Sequence, residues 1–174
     1  MAGLVNAFGD RLFRSACLLC GNETEAQDLV QETFLQAMRS IHRFQGRSTL
    51  HTWLYAILLN LTRRSRRNRQ RLVYDDELVE QEISPADEGP CPVDAGIANS
   101  ALKEALRRLS DVHREVVVLR YYEEMKIHEI AAGLGVSQGT VKSRLHYAME
   151  EMQRLLPGDM NLFGAGDTKQ IQPS

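Results

Sequence analysis

One stretch limits what this chain can fold into. Asp75 to Asn99 reads DDELVEQEISPADEGPCPVDAGIAN, with Pro85, Pro90 and Pro92, two glycines and no Lys or Arg. Prolines remove backbone donors and like charges repel, so such a segment reads as a linker rather than as part of a core. The 174 residues are therefore expected to form small separate units on either side of it. In both flanking regions apolar residues recur three or four apart, with no alternation of the strand type. The expected fold class is all-α: two small helical domains, residues 1–72 and 100–156, joined by an acidic flexible linker over 73–99, with the tail 157–174 left unassigned.

Charge follows the same division. The net charge of -2 averages over 11 basic against 5 acidic residues in 1–72, 0 against 8 in 73–99, 9 against 8 in 100–156, and 1 against 2 in the tail. A basic module, an acidic strap and a near-neutral module follow one another. Segregation of this kind points to a polyanion-binding face, with a linker that repels nucleic acid or competes with it.

Other classes find little support. The apolar run Trp53–Leu59 is far short of the roughly 20 residues a membrane span needs, and MAGLVNAFGDRLFR lacks the order of a signal peptide. A cytoplasmic location without membrane insertion is expected. There is no phosphate-binding glycine loop, no paired carboxylates in a plausible pocket and no nucleophile with a matched base, so no enzyme is expected. His42, His51, His113, His128 and His146 are scattered. Cys17 and Cys20 form a CxxC, but Cys91 stands apart and no second Cys/His pair has zinc-like spacing, so buried thiols are favoured over a metal or redox site. No metal and no cofactor are expected.

In the first module, Asn22 or Thr24 can cap a helix whose positive end carries Glu25 and Asp28. Ala26, Leu29, Val30, Thr33, Ala37 and Ile41 would line its buried face. The opposite face carries Gln27, Asp28, Gln31, Glu32 and Leu35, an apolar residue among acceptors where water should be, which hints at a docking surface. A break follows at Phe44-Gln45-Gly46-Arg47-Ser48, where Gly46 permits a turn and Ser48 or Thr49 can cap the next helix.

That next helix contains TWLYAILLNLTRRSRRNRQR, Thr52 to Arg71. Leu50, Trp53, Leu54, Ile57, Leu58 and Leu61 are expected as its core stripe. Trp53 and Tyr55 cannot both point to the middle of the core. With Tyr55 at the margin, its ring would meet an unstacked base, as aromatic platforms beside basic residues do when they hold single-stranded nucleic acid. Core packing does not explain Arg63, Arg64, Arg66, Arg67, Arg69 and Arg71, six arginines in nine positions. Each that meets a phosphate would release counterions.

In the second module, Leu102, Ala105, Leu106 and Leu109 form one amphipathic stripe. A further helix, opened by Ser110 or Asp111, carries Val116, Val117, Leu119 and Arg120. KIHEIAAGLGVSQGTVKSRLHYAMEEMQRLL then has the order of a helix-turn-helix: a helix Ile127 to Leu134, a turn at Gly135, and a second helix capped by Ser137. Ala131, Val136, Val141 and Leu145 would bind the two helices together. Gln138, Gly139, Thr140, Lys142, Ser143, Arg144, His146 and Tyr147 would face outward, small residues first, as entry into a major groove requires.

Taken together, DLVQETFLQAMRSIHRF, FQGRSTLHTWLYAILLN with its arginines, the acidic linker and LRRLSDVHREVVVLRYYEEMKIHEIAAGLGVSQGTVKSRLHYAMEEM resemble an extracytoplasmic-function sigma factor, the smallest type of bacterial sigma factor. The match covers about residues 8–156. The resemblance implies a sigma-2-like domain over 1–72 that docks on core RNA polymerase and recognises and melts the -10 element. It also implies a sigma-4-like domain over 100–156 that reads the -35 element. The loop from Phe44 through Gly46, Arg47 and Ser48 to Thr49 would accept a flipped base beside Asn60. Flipping costs a few kcal/mol, and Tyr55, Arg63, Arg64 and Arg67 would hold the flanking strand. Asp28, Gln31, Glu32 and Leu35 match the helix that docks on the polymerase clamp coiled coil; the flap is the second polymerase contact. Lys142, Ser143, His146 and Tyr147 stand at the -35 reading positions, with Thr140 and Arg144 on phosphates. His146 and Tyr147 depart from the commoner family pattern, which bears on the -35 preference. An anti-sigma factor is the family's usual control. Two rivals are a sigma-like decoy that sequesters an anti-sigma factor, which has no need of the arginines, and a conventional helix-turn-helix regulator of the LuxR type, which has no need of a polymerase-docking helix.

Overall fold

The computed structural model describes residues 2–46, 48–75 and 100–156, and among these every regular element is helical. The chain divides into two compact units, with the division between Asp94 and Ala95, inside the acidic segment. The residues 76–99, with Pro85, Pro90, Pro92 and Cys91, and the tail 157–174 lie outside the described residues, as does Arg47.

The first unit is built from α1 (Ala2–Cys20), α2 (Glu23–Ser40), a 3-10 turn (Ile41–Arg43) and α3 (Leu50–Asp75). Its joints follow from local chemistry. Gly21, at φ 75, ends α1, and its N–H donates to the Cys17 carbonyl at 2.8 Å; a left-handed residue after a helix is glycine's usual place. Asn22 caps α2, its side-chain oxygen accepting the Glu25 N–H at 2.8 Å. Thr49, rather than Ser48, caps α3: its Oγ1 accepts the Thr52 N–H at 3.1 Å and pairs with Thr52 Oγ1 at 2.9 Å.

All three helices contribute to the core, with Leu12, Ala16 and Leu19 from α1, Ala26, Leu29, Phe34 and Ala37 from α2, and Leu54, Leu58 and Leu59 from α3. Buried Thr33 and Thr62 satisfy their hydroxyls on the carbonyls four residues back, Leu29 at 2.6 Å and Leu58 at 2.9 Å. Truncating a fully buried leucine such as Leu58 to alanine costs about 2–5 kcal/mol in cores of this kind.

Two expected stripes are displaced. On α2, Phe34 joins the core, whereas Val30 is half-buried and Ile41 is exposed, because the α-helix ends at Ser40 and the 3-10 turn rotates Ile41 away. On α3 the buried side chains, among the described residues, are Thr52, Leu54, Tyr55, Leu58, Leu59, Leu61 and Thr62, while Leu50, Trp53 and Ile57 are half-buried. α3 packs against both α1 and α2, so its buried arc is wider than a single stripe and centres on Leu58.

The second unit comprises α4 (Ser100–Arg108), α5 (Asp111–Val117) running into a π-helical turn (Val118–Tyr122), α6 (Ile127–Leu134) and α7 (Gln138–Leu155). Ser110 precedes α5 and accepts the His113 and Arg114 N–H groups on its backbone carbonyl, at 3.1 and 2.8 Å. Arg114 closes the α4–α5 corner by donating to the carbonyls of Leu106, Arg107 and Leu109 at 2.8, 2.7 and 3.0 Å. A cation here satisfies the unpaired carbonyls of a helix C-terminus. Glu129 accepts the Lys126 N–H at 2.8 Å and so closes the start of α6.

The turn between α6 and α7 is as expected. Gly135 is left-handed at φ 67, the Val136 N–H donates to the Ala131 carbonyl at 3.1 Å, and Ser137 Oγ accepts the Thr140 N–H at 3.0 Å. Ala131, Val141 and Leu145 are buried between the helices and Val136 is half-buried. His113 of α5 and Glu151 of α7 pair at 3.1 Å. Among the described residues no helix is long and apolar enough to cross a membrane.

Candidate nucleic-acid and polymerase interfaces

An α-helix brings positions three and four apart onto one ridge. Along α3 this aligns Trp53, Ile57, Asn60, Arg64, Arg67 and Arg71, in steps of four, three, four, three and four. The ridge is half-buried at Trp53 and Ile57 and exposed from Asn60 onward. At 1.5 Å per residue it runs about 27 Å, from an aromatic end to a cationic end. Arg64, Arg67 and Arg71, with Asn68 and Gln70, line a shallow surface depression at the cationic end.

At the aromatic end, Phe44 is half-buried, and its ring meets that of Trp53 at 5.2 Å with planes tilted by 43°. Gly46, at φ 68 and exposed, makes the turn; Ser48 is half-buried. The structure therefore brings Phe44, Gly46 and Ser48 to the end of α3 whose outward ridge leads through Asn60. Arg63 is half-buried and lies off that ridge.

Tyr55 does not belong to this face. It is 0% exposed, its hydroxyl donates to Ser15 Oγ of α1 at 3.2 Å, and its ring lies 4.6 Å from that of His51. The expectation that Tyr55 offers a platform to a base is corrected: a buried hydroxyl partner lets its polar tip enter the core, and Trp53 takes the outer position. Arg69 is also diverted. Its guanidinium donates to both carboxylate oxygens of Glu25, each at 2.7 Å, and Ser65 Oγ donates to Glu25 Oε1 at 2.7 Å. This clasp ties the start of α2 to α3.

On α2, Asp28, Gln31, Leu35 and Met38 are exposed on one ridge, and Glu32 is half-buried beside it, with Gln36 donating to its carboxylate at 3.4 Å. Leu35 is 45% exposed, Met38 50% and Ile41 39%. The apolar strip is thus longer than Leu35 alone. Met38, three residues beyond Leu35, was readable from helical spacing; Ile41 was not, because its exposure depends on where the helix ends.

On α7, Ser143, His146 and Tyr147 are exposed, and Thr140, Lys142 and Arg144 are half-buried. Thr140 Oγ1 lies 2.9 Å from Ser137 Oγ, and Ser143 Oγ donates to the Thr140 carbonyl at 3.1 Å. His146 stands 3.8 Å from Glu150, and its ring lies 5.6 Å from that of Tyr147. The predicted outward face is therefore one continuous polar surface on the second helix of the pair.

Cys17 is disulfide-bonded, so the expectation of a thiol is corrected there, and the CxxC has no activated thiol at Cys20. Cys20 donates to the Asn22 carbonyl at 3.2 Å, and burial pushes its thiol up from 9.0 to about 11. A thiol held that high supplies little thiolate at neutral pH.

A helical unit carrying a cationic ridge, followed by a helix-turn-helix unit, is the arrangement expected of a two-domain DNA-directed transcription protein. Residues 4–72 match Sigma-70 region 2 and residues 105–154 match Sigma-70 region 4. The chain is 30% identical over 164 residues to the ECF RNA polymerase sigma factor SigW of Bacillus subtilis, covering 89% of this chain and 88% of that one. It is 34% identical over 163 residues to the ECF RNA polymerase sigma factor SigL of Mycobacterium tuberculosis, covering 89% and 90%. Among solved structures it resembles the sigma factor RpoE of Bartonella quintana, in complex with the anti-sigma factor NepR, with a TM-score of 0.74 and 31% identity over 90% of this chain and 96% of that one. The chain belongs to the ECF RNA polymerase sigma factors. It is a transcription initiation factor and not an enzyme.

Proposed function

We propose that each unit of this sigma factor takes a separate part of promoter recognition. The α2 ridge of Asp28, Gln31 and Leu35, with Glu32 beside it and extended by Met38, docks on the clamp coiled coil of core RNA polymerase; the second unit engages the flap. Phe44, Gly46 and Ser48 form the edge of a pocket for a flipped base of the -10 element, and Arg47, outside the described residues, is assigned to the same contact by its place in the sequence. Asn60 flanks that pocket, and Arg64 and Arg67 hold the adjoining strand phosphates, with Arg63 at the margin. Lys142, Ser143, His146 and Tyr147 read the duplex -35 element, while Thr140 and Arg144 take its phosphates.

The observation that carries this reading is the α3 ridge, which passes from the Phe44–Trp53 pair through Asn60 to three exposed arginines. A flipped base costs unstacking energy, and cations on the flanking phosphates offset it. Because the RpoE neighbour is held by an anti-sigma factor, we assign the same class of partner to this chain, as a competitor for the polymerase-docking or DNA faces. With these partners, we assign the protein to the cytoplasm.

Run-off transcription with purified core polymerase, with and without this protein, on a pool of genomic promoter fragments tests the reading. Discrete new transcripts sharing paired upstream elements are expected. No transcripts, together with tight binding to an inhibitor protein, would favour the decoy; duplex binding without any polymerase dependence would favour the conventional regulator.

A further inference from the structure

Gly139 stands in the first turn of α7, exposed, on the outward side shared by Lys142, Ser143, His146 and Tyr147. Glycine is the weakest helix former after proline, so a helical glycine calls for a reason. The usual reasons are absent. Gly139 is not among the glycines with positive φ, which are Gly21, Gly46 and Gly135. A Cβ built on Gly139 would meet only Ser137 Oγ, at 3.6 Å, an ordinary van der Waals distance. Neither backbone conformation nor packing within the fold requires this residue to lack a side chain.

The remaining constraint lies outside the chain. An α-helix with its side chains is about 10–12 Å across and the major groove about 12 Å wide, so a helix tip that enters the groove has little slack. A methyl group at the tip would hold the backbone off by about one bond length, 1.5 Å. Ser143, one turn on, is also small and exposed, and the longer His146 and Tyr147 come only after it. We propose that Gly139 is a positioning residue for promoter recognition: its missing side chain lets the first turn of α7 seat against the groove, which brings Lys142, Ser143 and His146 within reach of the bases.

The inference rests on the reading of α7 as the duplex-reading helix, and the experiment separates the two. Holoenzyme reconstituted with the full chain, wild type or Gly139→Ala, is titrated with a synthetic duplex carrying the upstream element shared by the promoter fragments that yield run-off transcripts. It is also titrated with a probe that carries only the -10 element, and the melting temperature of each free chain is recorded. The expected result is an unchanged or raised melting temperature, at least tenfold weaker binding to the upstream duplex and unchanged binding to the -10 probe. Upstream binding weakened by less than tenfold overturns the inference, and so does a lowered melting temperature, which would make the glycine a requirement of the fold. Lys142→Ala and Arg144→Ala serve as comparators. If they weaken upstream binding while Gly139→Ala does not, only the positioning role fails. If none of the three variants has an effect, the reading of α7 itself fails.

Discussion

Arg67 and Arg69 lie two positions apart in one basic run, yet the structure gives them different work. Arg67 is exposed on the ridge that begins at Trp53. Arg69 is 57% exposed and grips Glu25, which is 17% exposed and also accepts from Ser65. A solvent-exposed ion pair is worth about 0.2–1 kcal/mol, and the half-sheltered carboxylate puts this one at the upper end. Arg69→Ala should therefore cost about 1 kcal/mol and lower the melting temperature of so small a unit by about 4–8 °C. Arg67→Ala, at an exposed position, should stay within about 0.5 kcal/mol of wild type. DNA binding should reverse the order. Each lost contact to a single-strand phosphate reduces the slope of log affinity against log salt by about 0.7. Between 50 and 200 mM salt that flattening amounts to about a 2.5-fold change in the affinity ratio. Urea melts followed by circular dichroism, and salt titrations of reconstituted holoenzyme on a fork probe with a single-stranded -10 element, measure both quantities. Equal slope changes for the two variants, or a destabilised Arg67→Ala, would refute the division between clasp and ridge.

Three further outcomes are expected. Phe44→Ala or Asn60→Ala should impair open-complex formation in permanganate footprinting while leaving polymerase binding intact; equal loss of both would remove the proposed pocket. Leu35→Ala and Met38→Ala, each about half exposed, should forfeit about 1 kcal/mol of burial in the docked complex, or about fivefold in core affinity, at an unchanged melting temperature; unchanged affinity would move the docking face elsewhere. Folded Cys20 keeps its proton to about pH 11 against 9.0 for the free thiol, so its contribution is fully present below pH 9 and is lost as pH rises toward 11. The loss is about 2–3 kcal/mol at most. The urea midpoint should fall more steeply over that window for the wild type than for Cys20→Ala, and parallel curves would contradict the assignment.

Features set by short-range chemistry were legible in the sequence. Asn22, Gly135 and Ser137 act through bonds to residues within a few positions, so the α6–α7 turn and the start of α2 follow from composition and spacing. Which aromatic of α3 enters the core was not legible. Trp53 and Tyr55 are equally acceptable to the helix itself, and the choice depends on Ser15, forty residues away, offering Tyr55 a buried partner. The same applies to Arg69: the sequence shows a cation in a basic run, but only the approach of α2 supplies the carboxylate that engages it. Exposure of Ile41 likewise turns on the helix ending at Ser40, a boundary that apolar spacing does not fix.

The placement of these side chains explains how one 26-residue helix can serve a core and, as proposed, a polyanion at once. Its described buried arc, centred on Leu58, runs from Thr52 to Thr62, where the helix packs on α1 and α2, and from Arg63 to Arg71 no side chain is buried. Six arginines in that end would repel one another if all faced the same way. Fixing Arg69 on Glu25 neutralises one of them and anchors the segment. Arg64, Arg67 and Arg71 then stand on a helix whose orientation is already set before any DNA arrives. Binding does not have to order the backbone that presents them, and the entropy that such ordering would cost is lost during folding rather than at the promoter. Loosening the clasp should therefore weaken promoter melting indirectly, through disorder of the arginine-bearing turns, even though Glu25 itself would never touch DNA.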